Sequence, residues 1–423
     1  MRLRLALPSC LLIATFAGAA EFDAASATNQ VGLDLFRRLA PQKQQSNLVL
    51  SPYSIASALA LVYAGADGTT RAEMARALHF ASDDQSMQAG FATLRASLDQ
   101  IAAQSKNIAA GRQRIGGRLD VIEWHAANRL FGQQGYAFRD AFLALMKNGY
   151  AAPFEPLDFR RAAEPGRATI NAWVEEQTRG KIRDLIPRGS IKPDTRLVLV
   201  NALYLKAPWS KHFEERETRP RPFHVGGADQ TQEIPTMHDV RFGGYVEEDG
   251  LTVVTLDYIG GGLQFLIVLP AEGKSVDEVA DRVTPADFAR WSKLGQDRRQ
   301  SLSLFLPRFR AESATLPLGA ALEDIGVKSA FDVPSGSANF ERIAPRKPSD
   351  YLALDEVFHR AFVVVDEEGT EAAAATAATM VTLAAIAEPP PPIEVRVDRP
   401  FLFAIQHRAS GTCLFLGRIV DPR

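Results

Sequence analysis

The sequence is short of nearly everything that marks an enzyme or a cross-linked extracellular domain. It has two cysteines in 423 residues, Cys10 and Cys413. Cys10 sits in an N-terminal apolar stretch, so removing that stretch leaves one thiol and no intramolecular disulfide. Stability must come from packing. Neither sign of charge dominates: 48 Lys+Arg against 50 Asp+Glu give a net charge of −2, without the basic excess that neutralising phosphates requires. Nucleic acid is therefore not an expected partner. No H-E-x-x-H, G-x-S-x-G, Walker loop or C-x-x-C occurs, so zinc hydrolysis, the hydrolase elbow, phosphate cradling and dithiol exchange lack their minimal signatures. The seven histidines are scattered, with no pair at metal-ligand spacing. No metal, no cofactor and no enzymatic activity is expected.

What is present begins with an exported N-terminus. Arg2 and Arg4 precede an apolar stretch over residues 5–16 and then Ala17-Gly18-Ala19-Ala20, the layout of a secretory signal peptide. Residues 1–20 are expected to be removed, which makes the mature chain secreted or periplasmic. The stretch is shorter than the roughly 20 residues a bilayer needs and contains Pro8. Lipidation at Cys10 is the weaker alternative, because too few residues precede it. No later long apolar run appears, so no stable membrane span is expected.

Hydrophobic residues make up 46% and charged residues 23%, enough to bury a large core. No Gly/Ser-rich linker, repeat or break in composition divides the chain. Residues 21–423 are read as one domain. Ser51 before Pro52 is an N-cap followed by the residue best tolerated at the first helical position, and the apolar run that follows predicts a buried helix. Residues 197–205, 263–269, 302–306 and 362–365 are short, apolar and rich in β-branched or aromatic residues, and read as buried strands. Helical patterns lie between them at 168–178 and 316–325. Strands at 393–397, 401–406 and 413–420 follow, with Ser410-Gly411 as the last turn. The fold class is α+β.

Several motifs, taken in order, resemble those of the serpin family. They are Asn47-Leu48-Val49-Leu50-Ser51-Pro52-Tyr53-Ser54 with Gly65-Ala66-Asp67-Gly68-Thr69-Thr70, Val200-Asn201-Ala202-Leu203-Tyr204-Leu205-Lys206 with Trp209, and Leu306-Pro307-Arg308-Phe309. His359-Arg360-Ala361 runs on to Glu367-Glu368-Gly369-Thr370-Glu371-Ala372, and Arg399-Pro400-Phe401-Leu402-Phe403, Gly417-Arg418 and Asp421-Pro422 close the series. The resemblance extends from about residue 26 to the C-terminus. It implies three β-sheets, eight or nine helices and an exposed reactive centre loop at about 367–392. It also implies an inhibitor that traps a serine protease covalently: the loop is cleaved, an acyl-enzyme forms, and the loop inserts as a strand into the main sheet. A cysteine protease is a second candidate target. The chain is expected to be a monomer with a risk of polymerisation. A non-inhibitory serpin acting as a binding or carrier protein is the alternative.

The resemblance also assigns residues. The hinge is Glu367, Glu368, Gly369, Thr370, Glu371, Ala372, Ala373, Ala374, Ala375 and Thr376. By composition alone this Ala-rich run would be a surface helix; its place after His359 makes it a strand in waiting. On insertion Thr370, Ala372, Ala374 and Thr376 would face inward, all small, while Glu371 faces water. Gly369 offers a pivot. Family spacing puts the reactive bond at Leu383-Ala384, with Met380 and Ile386 as alternatives, because the side from 383 to 399 is long and contains Pro389, Pro390, Pro391 and Pro392. Leucine there favours chymotrypsin-like or elastase-like targets. Ser51, Ser54, Asn201 and His359 match the polar cluster beneath the main sheet, the shutter. Trp209, Arg308 and Glu367 match the breach, where insertion starts, and Arg308 is expected to pair with Glu367 across neighbouring strands. His359, flanked by Phe358 and Phe362, reads as a satisfied core residue rather than a base.

Overall fold

The computed structural model describes residues 22–40, 46–225, 230–370 and 390–423. The expected signal segment, hinge residues Glu371 to Thr376 and the candidate bond Leu383-Ala384 lie outside them.

The first half of the chain is mainly helical: α1 (Ala24–Leu39), β1 (Leu48–Leu50), α2 (Pro52–Gly65), α3 (Gly68–Ala77), α4 (Asp84–Gln113), β2 (Glu123–Gln133), α5 (Asp140–Gly149), β3 (Phe154–Leu157), α6 (Phe159–Gln177) and β4 (Leu197–Pro208). A run dominated by strands follows: β5 (Arg219–His224), β6 (Thr231–Glu248), β7 (Leu251–Asp257), β8 (Leu263–Pro270), then the short helices α7 (Val276–Arg282), α8 (Pro285–Trp291) and α9 (Leu294–Asp297). The chain closes with β9 (Arg299–Pro307), β10 (Phe309–Glu312), β11 (Leu316–Pro317), α10 (Gly319–Asp324), β12 (Phe358–His359), β13 (Phe362–Val365), β14 (Gly369–Thr370), β15 (Ile393–Arg396), β16 (Phe401–His407) and β17 (Cys413–Ile419).

These strands build three sheets. Nine strands form the largest, in the order β1-β17-β16-β8-β7-β6-β9-β15, with β5 added to β6. Six form the second, β10-β13-β14-β4-β2-β3, and β11 pairs with β12 in the third. Helix α2 packs between the two larger sheets, touching β4 on one side and β17 on the other. Its sequence explains the position: Ser51 caps it by accepting from the Ser54 N–H, Pro52 opens it, and it is buried on almost every side. Strand β8 is buried along its whole length, as a strand between two others under a helix layer must be.

Two expected helices differ from the structure. The helix read at 168–178 begins earlier, at Phe159, and passes through a kink at Ala162 before Pro165. The helix read at 316–325 starts only at Gly319, because Leu316 and Pro317 are taken by pairing with His359 and Phe358. Cys413 is free and buried, and burial pushes its thiol well above the usual range. Among the described residues, no helix is long and apolar enough to cross a membrane.

Candidate functional site

The site lies where β14 enters the six-stranded sheet. β4 pairs along one edge with β2, from Leu197↔Gly132 to Lys206↔Glu123. Among the described residues its other edge is paired only at the top, where Ala207 and Pro208 take Thr370 and Gly369. Below that pair, no described strand joins β4 to β12 or β13. The seam opens into a cavity of about 370 Å³, walled by Val198, Val200 and Leu203 on one side and Leu354, Val357 and His359 on the other. Leu197, Val198 and Leu199 are only half-buried. An unpaired edge with apolar side chains beside it is a template for one more strand.

β14 reaches this seam through a tight turn that Asp366 builds. One Asp366 carboxylate oxygen accepts the Glu368 N–H at 2.9 Å and the Gly369 N–H at 3.3 Å. Burial raises the Asp366 carboxyl above its usual range, opposed by those two N–H groups. Gly369 has φ +151°, and a Cβ there would stand 2.7 Å from Pro208 Cα. The expectation of a loose pivot is thus corrected: the glycine is required by close packing as much as by its φ. Thr370 is 2% exposed; its hydroxyl meets the Tyr258 hydroxyl, and burial keeps that phenol protonated far above its ordinary range. Tyr258 stacks on Trp209 with centroids 4.7 Å apart. The Trp209 indole N–H donates to the Asp366 carbonyl at 2.8 Å and its backbone N–H to the Glu368 carbonyl at 2.9 Å. A fully buried tryptophan therefore holds the turn from beneath.

Glu367 is buried, and its carboxylate is held by Arg308, whose Nε donates to Oε1 at 2.5 Å, and by the Thr218 hydroxyl. The pair is present, but it does not link two neighbouring strands. Glu367 lies in the turn before β14, and Arg308 in the one-residue break between β9 and β10. Glu368 is ion-paired with Arg118 from the segment after α4.

Beneath the sheet the structure brings Ser51, Ser54, Asn201 and His359 into one connected group. His359 Nε2 accepts from the Ser51 N–H at 3.1 Å, Ser51 Oγ accepts from the Ser54 N–H at 3.2 Å, and the Ser54 hydroxyl donates to Asn201. Asn201 then donates to Asn128 at 2.7 Å. Burial pushes the His359 imidazole down to about 4, so it is neutral. Ser51 Oγ donates to the Leu414 carbonyl, not to the histidine, so this is not a nucleophile and its base. A second pair, Ser97 Oγ and His407 Nε2 at 3.1 Å, ties α4 to the β16–β17 hairpin. His407 is likewise pushed down to about 4 by burial, and its other nitrogen meets Ser410 rather than a carboxylate. That makes it a weak base.

Sequence reasoning missed Asp366, Thr218, Tyr258, Asn128, Arg118 and their neighbours. For Asp366 a signal existed, since aspartate followed three residues later by glycine is a type I turn pattern. The others approach from distant segments, and no local spacing announces them. Among the described residues, no group of three or more His, Cys, Asp or Glu could hold a metal ion.

The site is thus a sheet with an open seam, entered by a short strand above a buried Trp209 and a buried Glu367 paired with the half-exposed Arg308. The family model described as Serpin (serine protease inhibitor) matches residues 26–422. The chain is 36% identical over 405 residues to an uncharacterized serpin-like protein of Thermococcus kodakarensis, covering 95% of this chain and 87% of that protein. It is 34% identical over 402 residues to leukocyte elastase inhibitor of Sus scrofa, covering 94% and 99%. Among solved structures, uncleaved ovalbumin matches with a TM-score of 0.75 at 25% identity, covering 94% of this chain and 99% of that one. Human thyroxine-binding globulin complexed with its hormone matches with a TM-score of 0.75 at 27% identity, covering 96% and 100%. The chain belongs to the serpin family.

Proposed function

We propose that this protein is an inhibitory serpin, exported after loss of residues 1–20 and acting as the single domain 21–423. Its targets are chymotrypsin-like or elastase-like serine proteases, with Leu383-Ala384 as the bond attacked. The protease serine adds to the Leu383 carbonyl, the bond to the Ala384 nitrogen breaks with protonation of the departing amine, and an ester joins the two proteins. The hinge, Glu367 to Thr376, then extends the strand begun at Thr370 through Thr376 and onward into the seam, before water can cleave the ester. Ser51, Ser54, Asn201 and His359 form the shutter beneath that strand; Trp209, Arg308 and Glu367 form the breach at which it starts. The chain carries out no turnover of its own in this reading.

The observation that carries it is β14: Gly369 and Thr370 are paired with β4 and Val365, above an edge that has no other described partner. The reading is also supported by the similarity to leukocyte elastase inhibitor. Incubation with chymotrypsin, elastase and trypsin, read on a denaturing gel, is expected to give a covalent complex with an apolar-specific enzyme. Cleavage alone should raise Tm by many degrees. A chain that is cleaved quantitatively, with no complex and no change in Tm, would refute the inhibitory mechanism. The second reading, a non-inhibitory binding protein, draws on the cavity of about 370 Å³, within the range of small-molecule sites. It requires a small apolar ligand that binds the uncleaved chain and raises Tm without cleavage.

A further inference from the structure

Hinge residue Glu368 is held by more than Arg118. The His212 ring, four residues beyond the end of β4, stands between two carboxylates. Its Nε2 lies 3.0 Å from Asp120 Oδ2 and its Nδ1 lies 3.3 Å from Glu368 Oε2. Arg118 reaches both acids, with its Nε 3.5 Å from Asp120 and its terminal nitrogens on Glu368. All four side chains are at most 20% exposed. Asp120 and Arg118 belong to the segment joining α4 to β2, so this group couples that segment to the turn before β14.

The ring's protonation state decides whether the group closes. A neutral imidazole has one N–H and one lone pair, so it can donate to one carboxylate only and must aim its lone pair at the other. The imidazolium carries a proton on each nitrogen and can donate to both, with Nδ1 needing a small rotation because at 3.3 Å from Glu368 it is not aligned for a hydrogen bond in this structure. The charge balance agrees: Arg118 against Asp120 and Glu368 leaves one negative charge, which the imidazolium cancels. The remaining neighbours do not substitute for it. On β6, Arg241 donates to the His212 carbonyl and to Asp239, and Lys211 is engaged with Asp239. In the turn, Glu367 is taken by Arg308 and Asp366 by backbone N–H groups. Among the described residues, Asp120 and Glu368 are the carboxylates within ion-pair distance of the ring.

We propose that His212 is a proton-dependent clasp that holds Glu368, and with it the first residues of β14, seated in the sheet. Loss of the imidazolium proton leaves Arg118 alone with two carboxylates, and β14 leaves its seat more often. If the protein inhibits as proposed above, the seated hinge is the nucleus on which insertion proceeds, and alkaline conditions divert it towards being cleaved as a substrate. His359 and His407, already neutral when buried, do not change charge in the folded protein as pH rises through neutrality.

Amide hydrogen exchange of the intact chain, without any protease, tests the clasp. The peptide carrying Asp366 to Thr370 is followed at about pH 5.5 and about pH 8, corrected for the intrinsic exchange rate, with the β16–β17 hairpin as internal reference. The wild-type peptide is expected to exchange about tenfold faster at the higher pH, the scale of one lost charge-assisted hydrogen bond. The His212→Gln chain should exchange fast at both. In Glu368→Gln the amide can donate to the neutral imidazole, so slow exchange should persist at both. A pH-independent wild type, an unaltered response in His212→Gln, or a response retained in Glu368→Gln would overturn the clasp. A covalent complex that fails to form while the exchange response is present overturns the inhibitory reading alone.

Discussion

Glu367→Lys places a cation where the structure has built a seat for an anion. The Glu367 side chain is 4% exposed, and its partner Arg308 is 41% exposed, so the cost falls mainly on the buried side. Losing a hydrogen bond to a charged group costs about 1.5–3 kcal/mol, and the half-open position of Arg308 argues for the lower end. Two like charges about 4 Å apart near a surface add up to ~4 kcal/mol, most of it relieved if Arg308 swings into water. The expected net loss is roughly 3 kcal/mol, a large part of the 5–15 kcal/mol that holds a typical domain. The loss is local to the turn that seats β14, so the seam should open and accept a strand from a second copy. Denaturant midpoints measure the first effect; size-exclusion after gentle warming measures the second, with polymers expected. The charge-swapped chain, Arg308→Glu with Glu367→Lys, should recover most of both, because the coupling between the two sites is what is lost. An unaltered monomer with an unaltered midpoint would refute the reasoning, as would a swap that recovers nothing.

Thr370→Arg should abolish the covalent complex while the loop is still cleaved, because a side chain 2% exposed against Tyr258 cannot become a guanidinium without unseating β14. The intact chain should lose little stability, since the hinge can leave the sheet; a gel that still shows complex would count against β14 as the starting point. Acid should destabilise the protein. His359 is buried and neutral, with its value pushed from 6.5 down to about 4, so the unfolded chain takes up a proton that the folded chain refuses. This contribution is fully present above about pH 6.5 and is lost as pH falls towards about 4, by roughly 3 kcal/mol. His407 acts in the same direction. Chemical denaturation at several pH values checks the slope, which His359→Gln should flatten; an unchanged slope would mean that His359 already carries its proton in the folded state.

Much of the fold was legible because its signals are local. Ser51 and Pro52 set the start of α2, and the four-residue run Phe362–Val365 is a strand with the bounds its composition suggests. The failures are also physical. Leu316 and Pro317 follow a helical apolar pattern, yet pairing with His359 takes them into a strand, a tertiary demand that no window of sequence contains. The junction at the turn was half legible: motif singled out Trp209, Arg308 and Glu367, and the structure brings them to that turn. The ring beneath Thr370 and the acid–base group around Glu368 are assembled from segments about ninety or more residues apart, which no local spacing announces.

The registers explain why the polar cluster lies where it does. Thr370 is paired with Ala207 on one side and with Val365 on the other. Continuing both ladders one residue at a time down the seam would bring Thr376 opposite Asn201 on β4 and opposite His359 on β12 at the same step. Asn201 and His359 are joined by the chain of hydrogen bonds through Ser51 and Ser54, which runs on from Asn201 to Asn128. In such a strand alternation would give Thr376 the same inward direction as Thr370, so after the two inward alanines, Ala372 and Ala374, a hydroxyl would arrive between the cluster's amide and its imidazole. A buried polar group is costly unless it is satisfied; with Nε2 of the neutral His359 accepting from the Ser51 N–H, its Nδ1–H is left to donate to an arriving hydroxyl. If the hinge inserts as proposed above, the neutral His359 and the small, polar-at-one-step pattern of the hinge meet one requirement: a strand in the seam that leaves no polar group unpaired.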